Sequence, residues 1–288
     1  MSYKVYIDGE YFAKEDAKIN VYDHGLLYGD GVFEGMREYH GVVFRHAEHI
    51  DRLYKSAKSI CLNIPISQQE MMDAVYATLE INGLEDAYIR LVVTRGVGGL
   101  GLDPNRCDRP SIIIITDKIA LYPEEFYQKG LEIVTASTMR MPANVTSARV
   151  KSLNYLNSIM AKLEGLAAGC SEAMMLNHKG EVAECTGDNI FIVSNGVIYT
   201  PPTTADLLGG ITRHAVIDLA KEAGIPIFEL PFTRHDVYTA DECFLTGSAA
   251  ELIPVVKVDG RSIGDGKPGP ITAEIRRLFR EMIKTITK

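Results

Sequence analysis

The sequence predicts a mixed α and β protein built as two domains. Three observations carry that expectation. The 288 residues are enough for two cores of ordinary size. Short apolar runs of strand type alternate with longer runs of helical period along the chain. A charged stretch around Pro123 separates a first half from a second half that again holds both kinds of element. The expected bounds are a domain at 1–117, a connection at 118–130 and a larger domain at 131–288.

The balance of residues narrows the class. Hydrophobic residues make up 46% and charged residues 24%, as in a soluble globular protein. The net charge of −8 without a long basic run argues against nucleic acid as the main partner. No apolar stretch approaches the ~20 residues of a membrane span. The opening Met1-Ser2-Tyr3-Lys4 lacks the basic-then-apolar plan of a signal peptide. Five scattered cysteines without a Cys-x-x-Cys pair fit free thiols in a reducing cytoplasm. A cytoplasmic enzyme is the expectation.

Taken in order, the chain opens on a hairpin, Val5–Ile7 and Glu10–Phe12, turned by Asp8-Gly9. The glycine-punctuated run from Asp23 to Arg37 reads as too irregular for simple core filling. Apolar residues at 47, 50, 53, 54, 57, 60 and 61 place a helix over Arg45–Cys61. Ser67 and Glu70 form a capping box for a second helix that stops near Gly83. Buried strands follow at Ala87–Thr94 and Ser111–Thr116. The second half brings strands at Leu131–Ala136, Glu172–Leu176 and Asn189–Val193, the last joined by Asn195-Gly196 to Val197–Tyr199. Between them runs an amphipathic helix with Leu156, Ile159, Met160, Leu163 and Leu166 on its apolar side. A helix opening at Gly209-Gly210 and ending at Gly224, strands near Ile227–Leu230 and Cys243–Thr246, and a terminal helix from about Thr272 complete the chain.

Two motifs carry no chemistry. Gly96-Val97-Gly98-Gly99-Leu100-Gly101 satisfies G-x-G-x-x-G, but Leu102-Asp103-Pro104-Asn105 follows instead of a helix, so a dinucleotide fingerprint is rejected and a loop over a site expected. His46 and His49 flank Glu48 without a third ligand, so no metal is expected. Met139, Met141, Met160, Met174 and Met175 read as core filling.

Three features do point to chemistry. Lys151, at a loop-to-helix junction among small and apolar neighbours, can lose solvation, which favours the neutral, nucleophilic amine. Gly209-Gly210-Ile211-Thr212 suits a phosphate monoester, because glycines let backbone N–H groups approach and a helix N-terminus carries partial positive charge. The stretch Glu184 to Asn189 reads as a loop that sets an acid among small residues. A reactive lysine, an acid and a phosphate cup are what pyridoxal 5′-phosphate asks of a protein.

Together the runs Tyr28 to Arg37, Glu48 to Leu53, Tyr88 to Arg90, Lys151 to Tyr155, Glu184 to Asn189, Gly210 to Arg213 and Gly247 to Glu251 make the chain resemble the fold-type IV pyridoxal-phosphate aminotransferases, most of all the branched-chain amino acid enzymes. The resemblance spans about Tyr3 to Ile283. It implies an α+β fold with a small N-terminal α/β domain and a larger C-terminal pseudo-barrel domain, and a homodimer or higher homo-oligomer. It implies that Lys151 is the Schiff-base lysine and proton shuttle. Glu184 would pair with the pyridine nitrogen and Tyr155 with the phenolic oxygen. Arg52, Ile211, Thr212 and Ser248 would hold the phosphate, with Gly210 beside them; Leu208 would pack on the ring face, and Asn189 belongs to the same cofactor set. Phe33, Gly35, Arg37, Tyr88, Arg90 and Ala249 would line the substrate pocket, with Tyr28 donated to the neighbouring subunit.

The implied reaction moves the amino group of L-leucine, L-isoleucine or L-valine to 2-oxoglutarate by a ping-pong mechanism. Many branched-chain enzymes have Gly-Gly after the lysine, whereas Ser152-Leu153 stands here, as in the D-amino-acid branch. That branch commonly carries Tyr in place of Phe33 and an Arg-x-His pair after the Tyr88 strand; here Arg95-Gly96-Val97 lacks the histidine. A D-amino acid aminotransferase and, by another reaction, an aminodeoxychorismate lyase are the alternatives.

Overall fold

The computed structural model describes residues 3–118 and 122–287. The chain divides into two compact units: Met1–Ile119 with Val150–Asn154 and Thr287, and Ala120–Arg149 with Tyr155–Ile286 and Lys288. Of the stretch expected to connect the domains, 119–121 lie outside the described residues, Lys118 ends a strand, and Glu124–Lys129 is helical.

In the first unit the elements are β1 (Lys4–Ile7), β2 (Glu10–Ala13), α1 (His24–Tyr28), β3 (Gly31–Tyr39), β4 (Val42–Val43), α2 (His46–Ser59), α3 (Gln68–Asn82), β5 (Ala87–Thr94) and β6 (Ser111–Lys118). The strands form one antiparallel sheet in the order β2-β1-β6-β5-β3-β4. Met36, Ile50, Leu53, Met71, Ile89, Leu91 and Ile114 are fully buried in the core that α2 and α3 make with it. The Asp8-Gly9 turn and the Ser67–Glu70 capping box are formed as expected. Two expectations need correction. The run from Asp23 to Arg37 is irregular only at its start: from Gly31 it is the buried strand β3, because its even residues Val32 and Met36 alternate into the core. Cys61 is exposed beyond the end of α2, at φ 53°. The segment holding Lys151 lies along the first residues of β3: Phe33 N–H donates to the Lys151 carbonyl at 3.0 Å and Leu153 N–H to that of Gly31 at 2.9 Å.

The second unit holds α4 (Glu124–Lys129), β7 (Leu131–Thr135), α5 (Leu156–Ala167), β8 (Glu172–Leu176), β9 (Val182–Cys185), β10 (Asn189–Ser194), β11 (Val197–Thr200), α6 (Ile211–Glu222), β12 (Ile227–Glu229), α7 (Arg234–Tyr238), β13 (Glu242–Gly247), β14 (Glu251–Val258), β15 (Arg261–Ser262) and α8 (Pro270–Ile286). Its sheet runs β12-β11-β10-β13-β14-β7-β8-β9, with β15 on β14. The sheet curls, so that β9 returns towards β10, where Cys185 N–H donates to the Asp188 carbonyl at 2.8 Å.

Three of these strands escape the sequence reading: β9, β14 and the two-residue β15. Pro254 sits in the middle of β14 and mimics a breaker. Only four residues make up β9, and it carries Glu184, which was expected in a loop. The helix after Lys151 forms, but inside out. Ser158, Ala161 and Gly165 are its buried residues, and a Cβ added at Gly165 would lie 3.2 Å from the Glu172 carbonyl of β8. These small residues bring the backbone of α5 close to the sheet, leaving Leu156, Ile159, Met160, Leu163 and Leu166 on the outside, 47–68% exposed. Met174 and Met175 fill the core as expected, whereas Met139 and Met160 are exposed.

Candidate active site

In the first unit, the ladder between β3 and β5 gathers one set of residues. Gly35 is registered with Arg90, and Arg37 with Tyr88. Strand alternation therefore puts Phe33, Gly35, Arg37, Tyr88 and Arg90 on one face, opposite the core residues Val32 and Met36. Gly35 leaves room there for Tyr88, whose hydroxyl a Cβ would meet at 2.2 Å. The Arg90 guanidinium lies 4.4 Å from the centre of the Phe33 ring, and Lys151 Nζ lies 4.6 Å from the same centre. Lys151 is half-buried, and its own N–H donates to Ser56 Oγ of α2 at 3.1 Å. Lys151 and Arg90 are thus brought to one aromatic ring.

Tyr28 does not join them. It lies at the end of α1, where its hydroxyl accepts the Gly101 N–H at 2.9 Å, while His24 Nε2 bonds the Gly99 carbonyl at 2.9 Å. The glycine loop opens no α-helix; Pro104–Arg106 is one 3₁₀ turn. Arg52 reaches from α2 to the buried Glu34 of β3, with both Nε and Nη2 at 2.7 Å from its carboxylate.

In the second unit, Glu184 is 6% exposed on β9, with its carboxylate held from several sides. Arg140 Nη2 donates to Oε1 at 2.5 Å, Asn189 Nδ2 to Oε2 at 3.1 Å, and Leu208 N–H to Oε2 at 3.2 Å. Asn189 also donates to the Leu208 carbonyl at 2.9 Å, so one amide ties the acid to the segment that enters α6. That helix starts with Gly210 as its N-cap and no side-chain cap. The first-turn N–H groups of Ile211 and Thr212 therefore have no intrahelical partner. A Cβ at Gly210 would lie 2.0 Å from Asn189 Oδ1. Ser248 and Ala249 are half-buried in the turn from β13 to β14, and Tyr155 is the N-cap residue of α5.

The residues present fit a phosphorylated pyridine aldehyde. A glycine cradle, an uncapped helix start and a braced carboxylate are its anion and ring-nitrogen requirements. Thr246 Oγ1, on the residue registered with Asn189, is buried with no hydrogen-bond partner among the described residues, as an atom facing a polar ligand would be. Sequence reasoning missed Arg140, which lies outside every motif, and Glu34, which sits inside one without a role. His46 and His49 do not pair for a metal: His49 Nδ1 is 2.7 Å from Glu34 Oε2, and His46 packs edge-on against Tyr76.

Comparison with known proteins agrees with this chemistry. The family model described as amino-transferase class IV matches residues 31–258. A Methanocaldococcus jannaschii protein provisionally named branched-chain-amino-acid aminotransferase is 54% identical over 279 residues, 97% of this chain and 96% of its own. The crystal structure of the Escherichia coli branched-chain amino acid aminotransferase superposes with a TM-score of 0.95 at 37% identity, over 98% of this chain and 95% of that one. The crystal structure of the T.th. branched-chain amino acid aminotransferase complexed with N-(5′-phosphopyridoxyl)-L-glutamate gives 0.93 at 37% identity, over 98% and 94%. The fold is that of the fold-type IV enzymes, and the chain belongs to the class IV aminotransferases.

Proposed function

We propose that this aminotransferase moves the amino group of L-leucine, L-isoleucine or L-valine to 2-oxoglutarate in two half-reactions. The observation that carries the reading is the placement of Lys151 and Arg90 on the Phe33 ring: an amine able to attack a carbonyl stands beside an apolar wall and a cation for a carboxylate. Names and complexes of the relatives support the same substrates. Class IV aminotransferases use pyridoxal 5′-phosphate, which supplies an electron sink for the electrons of a broken Cα–H bond. Lys151 would bind its aldehyde carbon covalently and then carry the proton removed from the substrate Cα. Glu184 would hold the proton on the ring nitrogen, and Tyr155 would bond the phenolic oxygen. Arg52, Ile211, Thr212 and Ser248 would take the phosphate, with Gly210 and Asn189 shaping that end and Leu208 covering the ring. Phe33, Gly35 and Ala249 would receive the aliphatic side chain, and Arg37, Tyr88 and Arg90 the carboxylates.

The arrangement of Arg95 favours L- over D-amino acids. Its guanidinium is held by Asp30 through two bonds of 2.9 Å and by the carbonyls of Ile60 and Cys61, so it is committed to the scaffold rather than to a substrate carboxylate. The exposed apolar side of α5 supports a homodimer or higher homo-oligomer, since contiguous apolar faces mark association surfaces; Tyr28 would serve the neighbouring copy. No helix among the described residues is long and apolar enough to cross a membrane, and all five thiols are free, which supports a cytoplasmic site of action. Parallel assays of L-leucine, D-alanine and aminodeoxychorismate test the reading. Fast amino transfer from L-leucine is expected, and faster reaction of D-alanine, or pyruvate release from aminodeoxychorismate, would overturn it.

A further inference from the structure

Glu34 is an anomaly in the core of the first unit. Its neighbours on the same face of β3, Val32 and Met36, pack among Ile50 and Leu53 of α2, yet Glu34 places a carboxylate there with no solvent exposure. Both oxygens are used. Oε1 accepts Arg52 Nε, while Oε2 bonds Arg52 Nη2 and His49 Nδ1, each at 2.7 Å. Burial alone would raise the carboxyl's pKa, but the charge and hydrogen bonds of Arg52, joined by His49, hold it at about 2. His49 and Arg52 lie one turn apart on α2, so one carboxylate braces both side chains of a single helix face.

A buried ion pair is a weak source of stability, because desolvation offsets most of its attraction. What it does give is geometry. A guanidinium is planar, and a fork through Nε and Nη2 fixes its plane and turns its Nη1 edge away from the carboxylate. Its side chain is 13% exposed while that of Glu34 is 0%. We infer that Glu34 is a positioning residue for the phosphate of the cofactor, acting through Arg52 by locking the guanidinium in the orientation that receives the phosphate oxygens. This rests on the assignment of Arg52 to the phosphate. His49 fills the second lone pair of Oε2 and stops the fork from rotating.

The role makes a prediction that simple core packing does not: the loss must depend on the phosphate. Apoprotein is titrated with pyridoxal 5′-phosphate and, separately, with pyridoxal, which lacks the phosphate, following the visible absorption band. Arg52→Met should weaken the phosphorylated ligand alone. Glu34→Gln should do the same by roughly 10- to 100-fold, the usual penalty for removing a supporting partner, with pyridoxal affinity within about twofold of wild type. The double variant should lose no more than Arg52→Met, since Glu34 acts only through that residue. Glu34→Asp keeps the charge but shortens the reach, so it folds more readily and should show a smaller loss of the same selectivity. Equal losses for both ligands, additive losses in the double variant, or a folded Glu34→Asp with undiminished phosphate preference would overturn the inference. Should Arg52→Met itself leave the preference intact, the phosphate assignment falls and takes the inference with it.

Discussion

Arg140 and Glu184 form a buried ion pair, Nη2 to Oε1 at 2.5 Å, with side chains only 12% and 7% exposed. Arg140 is itself fixed, since Nη1 donates to Ser158 Oγ of α5 at 2.9 Å. The carboxylate therefore has little freedom to rotate. A pre-oriented negative charge of this kind stabilises positive charge on a ring nitrogen without reorganising during reaction.

Glu184→Gln keeps the shape and removes that charge. The half-reaction with L-leucine, followed by stopped-flow absorbance, is expected to slow by at least ~10²-fold, as for loss of an electrostatic stabiliser. An unchanged rate would assign Glu184 to structure.

His46 gives a pH dependence of stability. Burial, and then the nearby charge of His49, lowers its pKa to about 4 from 6.5, against a weaker opposing pull from Asp73. Between those values the unfolded chain binds a proton that the folded chain does not. Stability tied to His46 is therefore full above pH 6.5 and declines as the pH falls towards 4. Both ring nitrogens are buried without a hydrogen-bond partner among the described residues, so His46→Phe sacrifices no bond. Its melting temperature should fall less steeply than that of wild type over this range, and parallel curves would contradict the assignment.

The outward face of α5 should carry self-association. Leu163 is 53% exposed at the middle of that face, so Leu163→Glu costs no core packing but puts a charge where an apolar contact is expected. Light scattering should find an oligomer for wild type and a smaller species for the variant, with the far-UV spectrum unchanged. A wild-type monomer, or a variant of unchanged mass, would contradict the proposal.

Much of this architecture was legible because local chemistry agreed with the final fold. Asp8-Gly9 and Asn195-Gly196 both adopt positive φ at their turns, and Ser67 and Glu70 cap α3 reciprocally. What escaped depended on contacts distant in sequence. Glu184 lies on β9 only because β8 offers it Met175 as a partner. Apolar periodicity located α5 but not the direction its apolar side faces, since periodicity cannot tell an inward face from one meant for another surface. Lys151, Phe33 and Arg90 are far apart in sequence, and only the bridge of Ser152 to Val32 and the β3–β5 register bring them to one ring. Arg140 carried no signal, for a single arginine before a proline loop announces nothing.

The central claim is that Lys151 is the point of covalent attachment. Borohydride reduction of the holoenzyme, which converts a lysine–cofactor C=N bond into a stable amine, followed by peptide mass mapping, reads that bond directly. The label is expected on the peptide containing Lys151, and Lys151→Ala should carry no label, show no visible absorption band and have almost no turnover. Label on another lysine of the wild-type enzyme, or wild-type turnover by Lys151→Ala, would contradict the account.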